Sequence, residues 1–267
     1  MLRSTRDPSP AQDHDDKDEK KTVDQQTRQA LKQDKFVSTT THGIEWATEH
    51  RQSVIKMGVA AAAVVVLLIV AAVVYHSRST AASAAFGDAM QVYQTPLAQP
   101  DQPTPPGVKT FPSAAARAKA ANEKFLDVAN KYGMTPDGKN ALYFAGLTYE
   151  EAGENQQAEE TLKKVADSWN SNLAALAKFA LAQLYENTSR LDQAAELYKQ
   201  LSDKPASTVS YGMAQLALAN LYTNEGKPDE AKKIYATLKD KESKSPAGEI
   251  AAQKLNPGAA GAPGLPQ

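Results

Sequence analysis

With 267 residues the chain has room for one folded domain and appendages. Its 30 Lys/Arg against 31 Asp/Glu leave a net charge of −1, which excludes the basic footprint that a nucleic-acid backbone demands. There is no cysteine, so disulfides, thiol nucleophiles and thiolate metal sites are excluded, and no histidine beyond His76, so the C-terminal bulk has no imidazole for acid/base work.

Residues 1–22 contain the block DHDDKDEKK and almost nothing apolar to bury, so a disordered, cytoplasmic tail is expected. Across 23–56, Leu31, Phe36, Val37, Ile44 and Trp46 stand among charges, with Thr39, Thr40, Thr41 and Gly43 interrupting. This predicts a juxtamembrane segment with one or two short helices. Ile44 and Trp46 suit docking on the inner membrane face or on a cytoplasmic partner, against the plainer reading as linker. His42, Glu45 and Glu49 could share a helix face but lack a tight ligand signature and read as a solvated face, so neither a metal nor a cofactor is expected.

Residues 57–75 (MGVAAAAVVVLLIVAAVVY) form an uncharged run that, at about 1.5 Å per residue, nearly crosses a hydrocarbon core of roughly 30 Å. A cleaved signal peptide would have a shorter head and a shorter apolar stretch, so a signal anchor is the better reading. Arg51 and Lys56 precede the run closely and Arg78 follows it, and the N-terminal region holds ten Lys/Arg. This bias predicts a cytoplasmic N-terminus and a C-terminal domain outside, in the periplasm of a bacterium, on a single span of the inner membrane.

Thr80–Tyr93 can continue as an Ala-rich helix, and residues 94–112 hold six prolines, which forbid one. The proline-rich stretch reads as a loop inserted between two helices, or as a ligand for an aromatic groove. Residues 113–255 are helix-forming almost throughout, and a Gly/Pro-rich tail over 256–267 closes the chain.

Within the helical region Tyr149, Tyr185 and Tyr222 lie 36 and 37 residues apart. The same interval relates Ala158, Ala194 and Ala231, then Leu162, Tyr198 and Tyr235, then Val165, Leu201 and Leu238. A fixed period of this size marks stacked supersecondary units. Each reads as helix, short turn, helix, with Gly153, Ser189 and Gly226 at the turns and Gly146, Ala182 and Ala219 small where paired helices approach. The small-x-x-Tyr and Ala-x-x-x-Tyr/Leu cores resemble the tetratricopeptide repeat family, over units of about 139–174, 175–211 and 212–244, with a period longer than the usual 34 and a displaced closing proline. Ala121, Phe125 and Val128 stand 37 residues before Ala158, Leu162 and Val165, which predicts a leading unit split by the insertion, while 245–255 reads as a capping helix. The expected fold is all-α: a tetratricopeptide-type α-solenoid over 80–255, attached to one N-terminal transmembrane helix.

The resemblance implies a groove lined by the first helix of each unit, which takes a peptide or helix from a partner protein. Carried over by position, it presents Asn140, Tyr143, Leu147 and Glu150, then Phe179, Gln183 and Glu186, then Leu216, Asn220 and Thr223. Tyr143 and Phe179 are the expected anchors, as aromatics on a face that repeat packing does not need. Glu150 and Glu186 stand where relatives that grip acidic tails carry Lys and Arg, so mixed polar and apolar clients are expected. The layout of tail, span and divergent repeat domain is also similar to that of the ancillary subunit of the Sec translocon. It implies an envelope adaptor or chaperone-like role beside translocon subunits or periplasmic chaperones. A scaffold subunit of an envelope assembly, cell-wall or secretion complex is the alternative, and an enzyme is not expected. The sequence leaves the oligomeric state open.

Overall fold

The computed structural model describes residues 51–99, 107 and 109–256. The expectations for the acidic tail, for Ile44 and Trp46, for the His42, Glu45 and Glu49 face and for the Gly/Pro-rich end lie outside the described residues. The chain divides into two units, Met1–Ala72 and Val73–Gln267. One helix, α1 (Arg51–Tyr93), contributes to both; it contains no proline and is rich in alanine, which suits 43 residues of unbroken helix.

In the first unit every side chain from Ile55 to Ala72 is exposed. α1 is long and apolar enough to cross a membrane, and it is already helical at Arg51, within the segment read as juxtamembrane.

In the second unit α1 changes character. Ala82 and Ala89 are buried and Phe86 and Tyr93 half-buried, a spacing that places all four on one helix stripe. That stripe meets α2 (Ala114–Tyr132): the Phe86 and Tyr93 rings lie 5.7 and 6.2 Å from the Phe125 ring, which stacks on Phe144 at 5.3 Å. The ends of the proline-rich insertion are pinned together, since Ala98 N–H donates to the Phe111 carbonyl at 2.8 Å and Phe111 N–H to that of Pro96 at 3.1 Å.

Three helix pairs follow: α3 (Pro136–Glu151) with α4 (Asn155–Ala166), α5 (Ser171–Asn187) with α6 (Leu191–Asp203), and α7 (Tyr211–Asn224) with α8 (Pro228–Lys241). The first helices start upstream of the unit starts read from the sequence, because Thr135, Asn170 and Ser210 cap them by accepting backbone N–H groups of the first turn.

The turn inside each pair is built one way. Gly153 N–H donates to the Glu150 carbonyl and Glu154 N–H to that of Tyr149; Ser189 and Arg190 repeat this toward Glu186 and Tyr185, and Gly226 and Lys227 toward Thr223 and Tyr222. This is the paired hydrogen bonding of a Schellman C-cap, which needs a left-handed residue at its centre. Gly153, Ser189 and Gly226 adopt φ of 82°, 59° and 74°.

The core follows the repeating columns. Ala158, Ala194, Leu162, Tyr198 and Leu238 are buried, and each fully buried leucine contributes about 2 kcal/mol. At Gly146 a Cβ would lie 2.7 Å from Leu162 Cδ2, so the helices of the first pair touch there. One feature is specific to the leading unit: buried Asn122 donates to the Ala145 carbonyl at 2.8 Å and to Thr148 Oγ1 at 3.0 Å, tying α2 to α3. α9 (Pro246–Leu255) covers the far end, burying Ala251 with Ala219, Ala231 and Leu238.

Candidate protein-binding groove

Two open clefts lie side by side along the first helices. One, of about 460 Å³, is lined by Tyr93, Leu147, Glu150, Glu151, Asn155 and Asn187. The other, of about 350 Å³, is lined by Glu150, Gln183, Glu186 and Asn187. Shared Glu150 and Asn187 join them, and Asn187 Nδ2 donates to Glu150 Oε1 at 2.9 Å across the two units. A third cavity, of about 360 Å³, opens between the start of α5 and the end of α6 and shares no residue with them.

Of the groove positions carried over from the repeat register, Leu147, Glu150, Gln183 and Glu186 line these two clefts. Tyr143 and Phe179 do not line the clefts, and the expectation that packing does not need them is corrected. Tyr143 is half-buried, its ring edge-on to Phe144 at 5.6 Å, beside the cluster of Val165, Leu173 and Ala177. Phe179 is half-buried against Tyr198, ring centres 5.4 Å apart. The physical reason is helix packing, between units at Tyr143 and within the middle pair at Phe179: part of each first-helix face is covered by neighbouring helices, and the larger side chains fill that seam. Asn140, half-buried on α3, is not in the clefts. Nor are the third-unit residues: Leu216 packs in the terminal cluster, Asn220 accepts from Tyr235 Oη at 2.9 Å, and Thr223 donates to the Ala219 carbonyl at 2.8 Å.

Tyr93, Glu151, Asn155 and Asn187 were not foreseen. Two of them carry a sequence signal: Glu151 and Asn187 lie four residues after Leu147 and Gln183, hence on the same helix faces. Tyr93 is hidden by the insertion, which breaks the register.

The clefts carry unequal charges. Glu151 is paired with Arg117 at 2.7 Å, and the Arg117 guanidinium also lies 5.5 Å from the Tyr93 ring. Among the described residues neither Glu150 nor Glu186 has a salt-bridge partner. Glu186 accepts from Tyr198 Oη at 2.5 Å, and burial, then this carboxylate, push the Tyr198 phenol well up. Burial pushes Tyr93 up as well, with Glu151 adding to it; Tyr143 is raised by burial, then by Tyr93 and Glu150. These phenols stay neutral, and besides the paired Glu151 the clefts offer the carboxylates of Glu150 and Glu186, amide groups and Leu147. Among the described residues no group of three or more His, Asp or Glu could hold a metal ion.

The tetratricopeptide repeat-like domain family matches residues 53–256. The chain belongs to this family. No curated protein matches it. Two solved structures resemble it: TPR-like repeats described as those of a kinesin light chain from Podosopora anserina, and a point variant of them. Each is 20% identical, with a TM-score of 0.44, and the match covers 52% of this chain and 76% of the other. A repeat-like domain of this kind points to protein interaction, the coarse role expected from the sequence.

Proposed function

We propose that the chain is a membrane-anchored protein-binding adaptor of the cell envelope, whose solenoid takes a segment of a partner protein along the first helices. The observation that carries this reading is the pair of joined clefts across two units, where Glu150 and Glu186, without an ion-pair partner among the described residues, stand near Leu147. That chemistry fits a peptide or helix bearing a basic side chain next to an apolar one. Tyr143 and Phe179 support the groove from beneath by holding the seam between helices. The exposed apolar part of α1 supports a single span, and the flanking Lys/Arg support a cytoplasmic N-terminus with the solenoid in the periplasm. A place beside the Sec translocon and its periplasmic chaperones, as adaptor or chaperone-like factor, rests on the similarity of layout.

Charge reversal tests the groove. Glu150→Lys with Glu186→Lys, in the full chain purified from membranes, is expected to keep its helicity and lose its co-purifying proteins at least tenfold by quantitative mass spectrometry, an effect of about 1.4 kcal/mol or more. Lys199→Glu, on the second helix of the middle pair, is expected to keep them. Equal losses in both, or in neither, contradict the reading.

A further inference from the structure

The loops that join one pair to the next, unlike the turns within pairs, carry the two most exposed large apolar side chains among the described residues of 76–256. Met134 is 89% exposed and Trp169 86%. Both directly precede a helix N-cap, Thr135 and Asn170, a position from which an apolar side chain ordinarily folds back onto the first turns of its helix. Val209, at the matching position before Ser210, is fully buried. Met134 and Trp169 are not, and folding does not explain them. The Lys139 ammonium lies 4.7 Å from the Trp169 ring centre, so this indole is matched with a cation.

The same edge lies beside the place where the apolar run stops. The run closes at Tyr75, and three residues later Arg78 donates to the Lys131 carbonyl at 3.2 Å, while the Ser83 hydroxyl meets the Asp137 carboxylate. Lys131 and Asp137 flank Met134 by three residues on either side. Within five residues of Met134 or Trp169 in the sequence stand Lys131, Lys139 and Lys164, against Asp137 and Asp167. An exposed indole and a thioether near lysines, at the end of an apolar helix, is the pattern of a protein surface in contact with lipid headgroups.

We propose that this edge of the solenoid rests on the membrane from which the chain emerges, with Trp169 and Met134 in the headgroup region and Lys131 and Lys139 beside lipid phosphates. The proposal rests on the reading of residues 57–75 as a span. It gives the solenoid a footing on the bilayer.

Of the two tryptophans, Trp46 and Trp169, the variant Trp46→Phe leaves one. The full chain carrying it is reconstituted in phosphatidylcholine vesicles with and without phosphatidylglycerol, using lipid brominated near the headgroup end of the acyl chain. The expected result is vesicle retention through alkaline extraction, with emission from Trp169 quenched roughly twofold by the brominated lipid in both compositions, as an interfacial indole should be. A retained chain whose Trp169 emission is unchanged by bromine overturns the footing and leaves the span standing. A chain released by alkaline extraction overturns the span, and the footing with it.

Discussion

At the turns within pairs, Gly153, Ser189 and Gly226 stand 36 and 37 residues apart and repeat the same two hydrogen bonds. At the joints between pairs nothing repeats so closely: the first helices start 35 and then 40 residues apart, and the joints range from the short Gly133–Thr135 to the long Lys204–Ser210. The difference teaches where this solenoid is constrained. A Schellman turn tolerates one backbone geometry, whereas a joint needs only a capping side chain at its end, here Thr135, Asn170 or Ser210. Extra residues and exposed side chains therefore collect at the joints, and the lengthened period is absorbed there.

The contrast can be broken most strongly by a β-branched residue at a turn. Gly153→Val is expected to destabilise the solenoid by about 2 kcal/mol, because its φ of 82° is left-handed, while Trp169→Val at a joint stays within about 0.5 kcal/mol. Urea unfolding of the full chain in detergent, followed by far-UV ellipticity, measures both; equal effects would erase the distinction.

A smaller effect is expected at the contact that braces the second turn. Glu159 on α4 accepts from Arg190 at 2.6 Å, Lys163 at 2.7 Å and Tyr185 Oη at 3.1 Å, and Arg190 lies 4.2 Å from the Tyr185 ring centre. Burial works to raise this carboxyl, but the hydrogen bonds from Lys163, Arg190 and Tyr185 prevail and lower it from 4.5 to about 2. A depressed carboxyl stabilises the fold above its ordinary value, and that part is lost as pH falls from 4.5 toward 2. Glu159→Gln is expected to remove about 1 kcal/mol at neutral pH, given partial solvent screening, and to flatten the acid limb of the stability profile. An unchanged acid limb would show the brace to be idle.

The smallest effect sharpens the comparison. Ser189 sits at φ 59° where its counterparts are glycine, so Ser189→Gly is expected to stabilise by about 0.5 kcal/mol. A loss of stability would mean that the Ser189 side chain contributes something the two glycine turns lack.

The repeat was legible because packing imposes it: the columns of Tyr149, Ala158 and Leu162 name small and large side chains at sites that stacking makes equivalent. Ser189 was placed at its turn by register alone. What register does not contain is how a first-helix face is shared between a neighbouring helix and solvent. Tyr143 and Phe179 read as free from their columns and are packed in the seam, whereas Glu151 and Asn187, one residue past the chosen positions, reach the clefts. The Asn122 bridge was equally silent, since a polar residue on an amphipathic helix ordinarily faces water. Trp169 left no trace, as nothing periodic marks a loop side chain.

The central claim is that a partner protein lies along the first helices at the junction of the first two registered units. A photoreactive amino acid in place of Gln183, exposed within the smaller cleft, tests it against the same group in place of Lys199 on α6. After irradiation of intact cells, Gln183 is expected to give discrete cross-linked adducts with a small set of proteins and Lys199 to give few or none. Adducts of equal yield at both positions, or none at Gln183, would contradict the account.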